Sequence, residues 1–191
     1  IKNRKKLCLK ESLKHIAKSK YLICIAVLVV SYNLGINLIE VAWKSKVREL
    51  YPASKDFNLY LNQITSSMGF ISTIIAFSIP FIISRLGWTF MALITPVIML
   101  ITAIGFFGFS FLDAALNGFA PLIIAIFFGS ANNVLSKASK YSVFDASKEM
   151  AFIPLLDKDR LRSKAAIDGI GSRLGKSGGS LIQQGLLLVV G

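Results

Sequence analysis

The 191-residue chain holds two cysteines and one histidine. With His15 as the single histidine, the chain offers no plausible set of zinc or iron ligands. Nor do Cys8 and Cys24 make a disulfide framework, because Cys24 falls inside an apolar run that belongs in a bilayer. No redox compartment follows from them. Acids are also scarce, ten against twenty-two basic residues, and charged residues of both signs make up only 17% of the chain. With 54% apolar residues and a mean hydropathy of +0.63, an ordinary soluble domain is excluded. The chain opens on Ile1 and stops at Gly191 directly after an apolar run, the pattern expected of a piece of a longer polypeptide.

What is present is a series of long apolar runs. A spanning helix needs about 20 such residues, and five segments qualify: about 21–43, 58–84, 88–112, 121–144 and 165–190. The runs are continuous and lack the alternation over about 10 residues that barrel strands show, so the expected fold class is an all-α polytopic membrane protein. Pro121 opens the fourth run, where a missing amide hydrogen is harmless. Pro80 and Pro96 lie inside spans and are expected to kink them.

Ahead of the first span, residues 2–20 carry eight basic residues against Glu11, and Leu9, Leu13 and Ile16 are spaced to share a helix face. This segment reads as a basic amphipathic linker on a membrane surface, or as a plain cytoplasmic linker whose charge sets topology. Counting loops only, an interior N-terminus puts fourteen basic residues inside and four outside, among them Lys44, Lys46 and Arg48. The positive charge thus belongs beside anionic lipid, and nucleic acid is not an expected partner.

Four further cations, Lys137, Lys140, Arg173 and Lys176, fall within the fourth and fifth spans. A charge near the bilayer centre costs at least about 2.5 kcal/mol, so it usually faces a cavity or a partner. The acids on these spans are Glu40, Asp145 and Asp168, a deficit that an anionic substrate would fill. Helical spacing groups the polar residues into stripes: Asn33, Asn37, Glu40 and Lys44 on the first span, and Asn133, Lys137, Lys140 and Phe144 on the fourth. On the fifth, Asp168, Ser172, Lys176 and Gln183 share a side, with Arg173 close by. Three wet helix faces imply a water-accessible cavity. Plainer explanations are a surface Glu40–Lys44 pair, lysines snorkelling to headgroups, and asparagines bonding a neighbouring helix. Lys176, near the midplane, fits those least well. The run around Lys176 is no Walker loop, because Ile170 stands where that pattern demands glycine. Gly171, Gly175 and Gly179 instead make a small-residue face for close helix approach.

Several strings together resemble one family. They are Asn37-Leu-Ile-Glu40-Val-Ala-Trp43-Lys44, Ser136-Lys-Ala-Ser-Lys-Tyr-Ser-Val-Phe-Asp145, Lys148-Glu-Met-Ala-Phe-Ile-Pro154-Leu, Lys164-Ala-Ala-Ile-Asp168 and Leu174-Gly-Lys-Ser-Gly-Gly179. They are similar to the nucleotide transporter family, the ATP/ADP translocases of obligate intracellular bacteria and of plastids. The resemblance implies a parent of about twelve spans in a major-facilitator-like bundle, with this chain in its C-terminal half. It further implies ATP and ADP as substrates and the N-terminal half of the same polypeptide as partner. The bacterial inner membrane is expected over the plastid inner envelope.

Glu40 and Lys176 match charged intramembrane residues of that family. Arg173 lies beside the last motif. The expected reading is ATP-for-ADP exchange by alternating access, with Lys176 and Lys137 neutralising phosphates and Glu40 in a gating ion pair with a basic residue of the other half. Asn37, Asn132, Asn133 and Tyr141 are assigned to ribose or base. The alternative is proton-coupled import of other nucleotides. No cofactor is required, and no His or acid dyad is present to support a membrane-embedded transferase.

Overall fold

The computed structural model describes residues 16–116, 119–155, 160, 163–169, 173, 177–179 and 184. Among them there is no strand. Four helices are long and apolar enough to cross a membrane: α1 (Lys20–Leu50), α2 (Ser54–Arg85), α3 (Gly87–Leu116) and α4 (Phe119–Ala151). The expected fifth span lies largely outside the described residues, so four stand where five were expected. Residues 163–169 at its start are helical. The basic segment before residue 16 also lies outside them.

Each helix runs past the apolar stretch that announced it. α1 was expected to end near Trp43, but it continues through Lys44, Lys46 and Arg48 to Leu50, so these residues are helical and not in a loop. The charged side chains there find partners. Lys46 bonds Asp113 and Glu49, and the Arg48 guanidinium lies 5.4 Å from the Phe57 ring centre. What stops the helix is Pro52, whose ring disfavours helical backbone at Tyr51. α2 then starts at Ser54 with Asp56 in its first turn, where a carboxylate meets the positive end of the helix dipole.

Only Leu86 lies between α2 and α3, and the break in helical backbone falls at the first residue of α3. Gly87 has φ 77° and ψ 174°, a combination essentially confined to glycine. Helical dihedrals run through both Pro80 and Pro96, and the break falls at Gly87 instead. α4 carries a different irregularity, a π-helical turn over Lys140–Phe144 in which the Asp145 N–H reaches the Lys140 carbonyl. The extra residue keeps the chain helical through Asp145 to Ala151, so Lys148 sits on a helix end and not in the expected loop.

Contacts divide the chain into two compact units, Leu38–Ser147 and Ile1–Asn37 with Lys148–Gly191. In the first, the core consists of Ile39, Trp43 and Val47 from α1, Phe106 from α3, and Leu122, Ala125 and Ile126 from α4. The three α1 residues recur every fourth position, a single helix stripe. The outward surface of this unit is apolar too: Phe70, Phe77, Leu100, Ile104 and Phe111 are all exposed. Such a surface suits hydrocarbon, not water. Hydroxyls on α2 are satisfied within the helix, with Thr65, Ser67, Thr73 and Ser78 each donating to the carbonyl four residues back.

The second unit is held by polar ties. The Tyr21 hydroxyl donates to the Ala151 carbonyl at 2.6 Å. Lys148 pairs with Asp168 at 2.8 Å and Lys164 with Glu149 at 2.7 Å.

A Cβ added at Gly87 or at Gly108 would meet nothing within 4 Å, yet only Gly87 has a positive φ. Gly87→Ala is therefore expected to lower stability by about 1–3 kcal/mol, whereas Gly108→Ala, in helical backbone, is expected to be neutral or slightly stabilising. Thermal unfolding of the two variants in detergent checks this; equal shifts would show that backbone conformation at Gly87 is not the constraint.

Candidate functional site

Three charged residues of unit Leu38–Ser147 gather at one place. Glu40 on α1 binds two ammonium groups at once, Lys44 at 2.8 Å one turn along its own helix and Lys137 at 2.8 Å on α4. Lys44 follows from i,i+4 spacing, but Lys137 arrives through packing. The sequence reading paired Glu40 with a basic residue of the other half of the polypeptide, whereas here its partners are Lys44 and Lys137 of this chain.

These three residues open onto a cavity of about 110 Å³, lined also by Trp43, Leu61, Ile64, Thr65, Met68 and Asn133. There is room for several waters. Two cations against one anion leave the cavity with a surplus positive charge. Asn133, one turn before Lys137, is 4% exposed and lines the same cavity.

Beneath the cavity is a hydrogen-bonded node. The Trp43 indole N–H donates to Ser130 Oγ at 3.0 Å, the Tyr60 hydroxyl lies 2.7 Å from the same oxygen, and Ser130 itself donates to the Ile126 carbonyl at 2.7 Å. Close approach of Trp43 depends on Gly129, where a Cβ would collide with the indole. Sequence reasoning missed Trp43, Ser130, Tyr60 and the α2 wall. A faint signal existed in the spacing of Leu61, Ile64, Thr65 and Met68, which places them on one face of a helix.

The other expected site residues are elsewhere. Asn132 is fully buried against α3, its amide donating to Thr102 Oγ1 at 2.7 Å and to the Met99 carbonyl at 3.2 Å, so it fastens two helices and does not face the cavity. Lys140 and Tyr141 fall in the π turn, where the Lys140 ammonium lies 5.6 Å from the exposed Tyr141 ring. The extra residue turns the helix after Lys140, so the stripe through Asn133 and Lys137 does not continue to Phe144, which is buried.

Asn37 belongs to the other unit, where its side chain lies against Gly179. Arg173 is exposed there, and Asp168 is engaged by Lys148. Lys176 lies outside the described residues.

A second ionic cluster was also unforeseen. Asp113 at the end of α3 is buried and binds Lys46 on α1 at 2.7 Å, beside a cavity of about 440 Å³ that Glu49, Leu50 and Phe119 also line. The apolar run was read as ending at about residue 112, one short of Asp113.

A bundle of bilayer-length helices with an ion triad turned inward on a cavity defines a polytopic helical membrane protein with a polar interior. The chain belongs to the TLC ATP/ADP transporter family, whose model matches residues 1–191. It is 44% identical over 183 residues to ADP,ATP carrier protein 2 of Chlamydia pneumoniae, covering 92% of this chain and 34% of that protein. ADP,ATP carrier protein 1 of Rickettsia prowazekii (strain Madrid E) is 44% identical over 190 residues, 95% of this chain and 38% of the relative. ADP,ATP carrier protein 1 of Chlamydia trachomatis serovar D is 41% identical over 197 residues, 100% of this chain and 37% of the relative. The chain thus spans between a third and two-fifths of the length of these relatives. No solved structure matches it.

Two pairs of substitutions probe this packing. Gly129→Ala forces its new methyl into the Trp43 indole and is expected to destabilise by about 1–3 kcal/mol, while Gly69→Ala, with nothing within 4 Å, is expected to be harmless in the same unfolding assay. Asp113→Ala strips a buried partner from Lys46, and the double variant with Lys46→Ala is expected to recover part of the loss. Full additivity in that cycle would mean the pair is not coupled.

Proposed function

We propose that the chain is part of a nucleotide carrier that exchanges ATP for ADP across a bacterial inner membrane by alternating access. The observation that carries the reading is the Glu40 triad: two lysines and one glutamate on a cavity inside an apolar bundle. The names of the relatives, all ADP,ATP carriers of Chlamydia or Rickettsia, point the same way.

In this mechanism Glu40 is the resident counter-ion of Lys44 and Lys137 while substrate is absent. An arriving polyphosphate competes for those ammonium groups, and the amide of Asn133, on the same cavity, offers it a further donor. ATP carries about four negative charges, so a few cations neutralise it only in part, which allows entry and release in turn. Lys176 supplies a further cation, on the strength of the family motif. The remaining cavity wall, with the rest of the major-facilitator-like bundle, comes from the N-terminal half of the same polypeptide. Transport needs only that the inward and outward states bind substrate differently; no bond in the nucleotide is made or broken.

The test is uptake of labelled ATP by the full-length protein in liposomes. Uptake is expected to require internal ADP and to ignore an inward proton gradient; gradient-driven uptake into empty vesicles would replace exchange by proton-coupled import. In the same vesicles Lys137→Ala and Lys176→Ala are expected to lower uptake tenfold or more, about 1.4 kcal/mol, with Lys55→Ala and Lys158→Ala close to the parent. Equal effects of all four would remove the phosphate assignment.

A further inference from the structure

We propose that Ser130 is a positioning residue for the Glu40 triad and acts through Trp43. The inference rests on reading that triad as the phosphate site. A serine hydroxyl has one hydrogen and two lone pairs. At Ser130 the hydrogen goes to the Ile126 carbonyl, at 2.7 Å, within α4. The bonds from Trp43 at 3.0 Å and from Tyr60 at 2.7 Å must therefore arrive at the lone pairs, which makes the Tyr60 hydroxyl a donor. Every bonding capacity of one buried oxygen is filled, and the three partners come from α1, α2 and α4.

The placement of this node relative to the triad gives it a role beyond packing. Trp43 lies three residues after Glu40 on α1, and Ser130 lies seven before Lys137 on α4. Trp43–Ser130 and Glu40–Lys137 are thus neighbouring ties between the same two helices. They differ in what they demand. An ion pair is attractive over a broad range of distance and angle, and a four-carbon lysine stem adjusts to many positions of its partner. The indole N–H is rigid and directional, weakening steeply when bent. Its bond to Ser130, with the ring seated on Gly129, sets the rotation and axial register of α1 against α4. Glu40 is carried to its place opposite Lys137 by that register. Ser130 does not line the cavity, so its influence on substrate passes through α1 and through the Trp43 indole, which does line it.

The consequence is a coupling that can be measured. In the purified full-length protein, Tyr60→Phe keeps its ring and removes one donor, Trp43→Phe replaces the indole and its N–H by a smaller aromatic ring, and Ser130→Ala removes the acceptor. Trp43→Phe and Ser130→Ala are expected to raise the dissociation constant for ATP about fivefold, the scale of one buried hydrogen bond. Tyr60→Phe is expected to do less, and Ser130→Thr, which keeps the hydroxyl, to stay within about twofold of the parent.

In a Lys137→Ala background the same changes are expected to add less than about twofold, because the pair they position is already gone. Should Ser130→Ala fail to fold, Trp43→Phe carries the same cycle. Unchanged affinity in Trp43→Phe, or effects that multiply with Lys137→Ala, would overturn the assignment. Absence of any ATP binding by the unsubstituted protein would instead sink the transport reading on which it rests.

Discussion

A carboxylate inside an apolar helical bundle must be answered by positive charge, and much of unit Leu38–Ser147 is arranged to meet that demand at Glu40. Insertion of one acid at bilayer depth costs a few kcal/mol, and two lysines at 2.8 Å offset it. One of them is local, a turn away on α1. The other, on α4, requires that α1 and α4 lie side by side in a particular register, and the packing around it follows from that requirement. Ile39, Trp43 and Val47 form the apolar stripe that α1 turns toward α4, and Gly129 removes the side chain that would hold the helices apart.

The bundle uses polar bonds sparingly and at defined heights. Lys46 to Asp113 joins α1 to α3, Asn132 to Thr102 joins α4 to α3, and the Ser130 node joins α1, α2 and α4. Where bilayer surrounds apolar side chains there is little hydrophobic drive between helices, so such bonds and close packing carry more of the specificity than in a water-soluble core. The exposed aromatic surface of α2 and α3 is the complement of this economy: apolar where lipid is the solvent, polar only where a partner helix or a cavity receives it.

Much of this was legible in the chain and some was not. Four of the five apolar runs announced the four long helices, and the scarcity of acids drew attention to Glu40 at once. The helix ends were misjudged because hydropathy marks where a bilayer fits, not where a helix stops. Lys46 and Arg48 extend α1 since Asp113, Glu49 and Phe57 receive them, and only Pro52 ends it. The stripe on α4 was drawn with a constant 3.6-residue repeat, and a π turn at Lys140–Phe144 broke that repeat. Asn132 and Asn133 look alike as neighbours in sequence; one helical step sends the first into α3 and leaves the second on the cavity.

Composition, periodicity and motif strings by themselves determined the class of the molecule, its helical character and the membership that Glu40-Val-Ala-Trp43-Lys44 and its companions signal. These are properties of single segments and of spacing along one helix, and local rules reach that far. The partnership of Glu40 with Lys137, the burial of Asp113 under Lys46, and the meeting of Trp43, Tyr60 and Ser130 at one oxygen were decided only in the tertiary structure. Each joins residues from 67 to 97 positions apart, and no local preference fixes which faces of two helices meet. Side-chain volume at the contact, including the absence of one at Gly129, settles that choice.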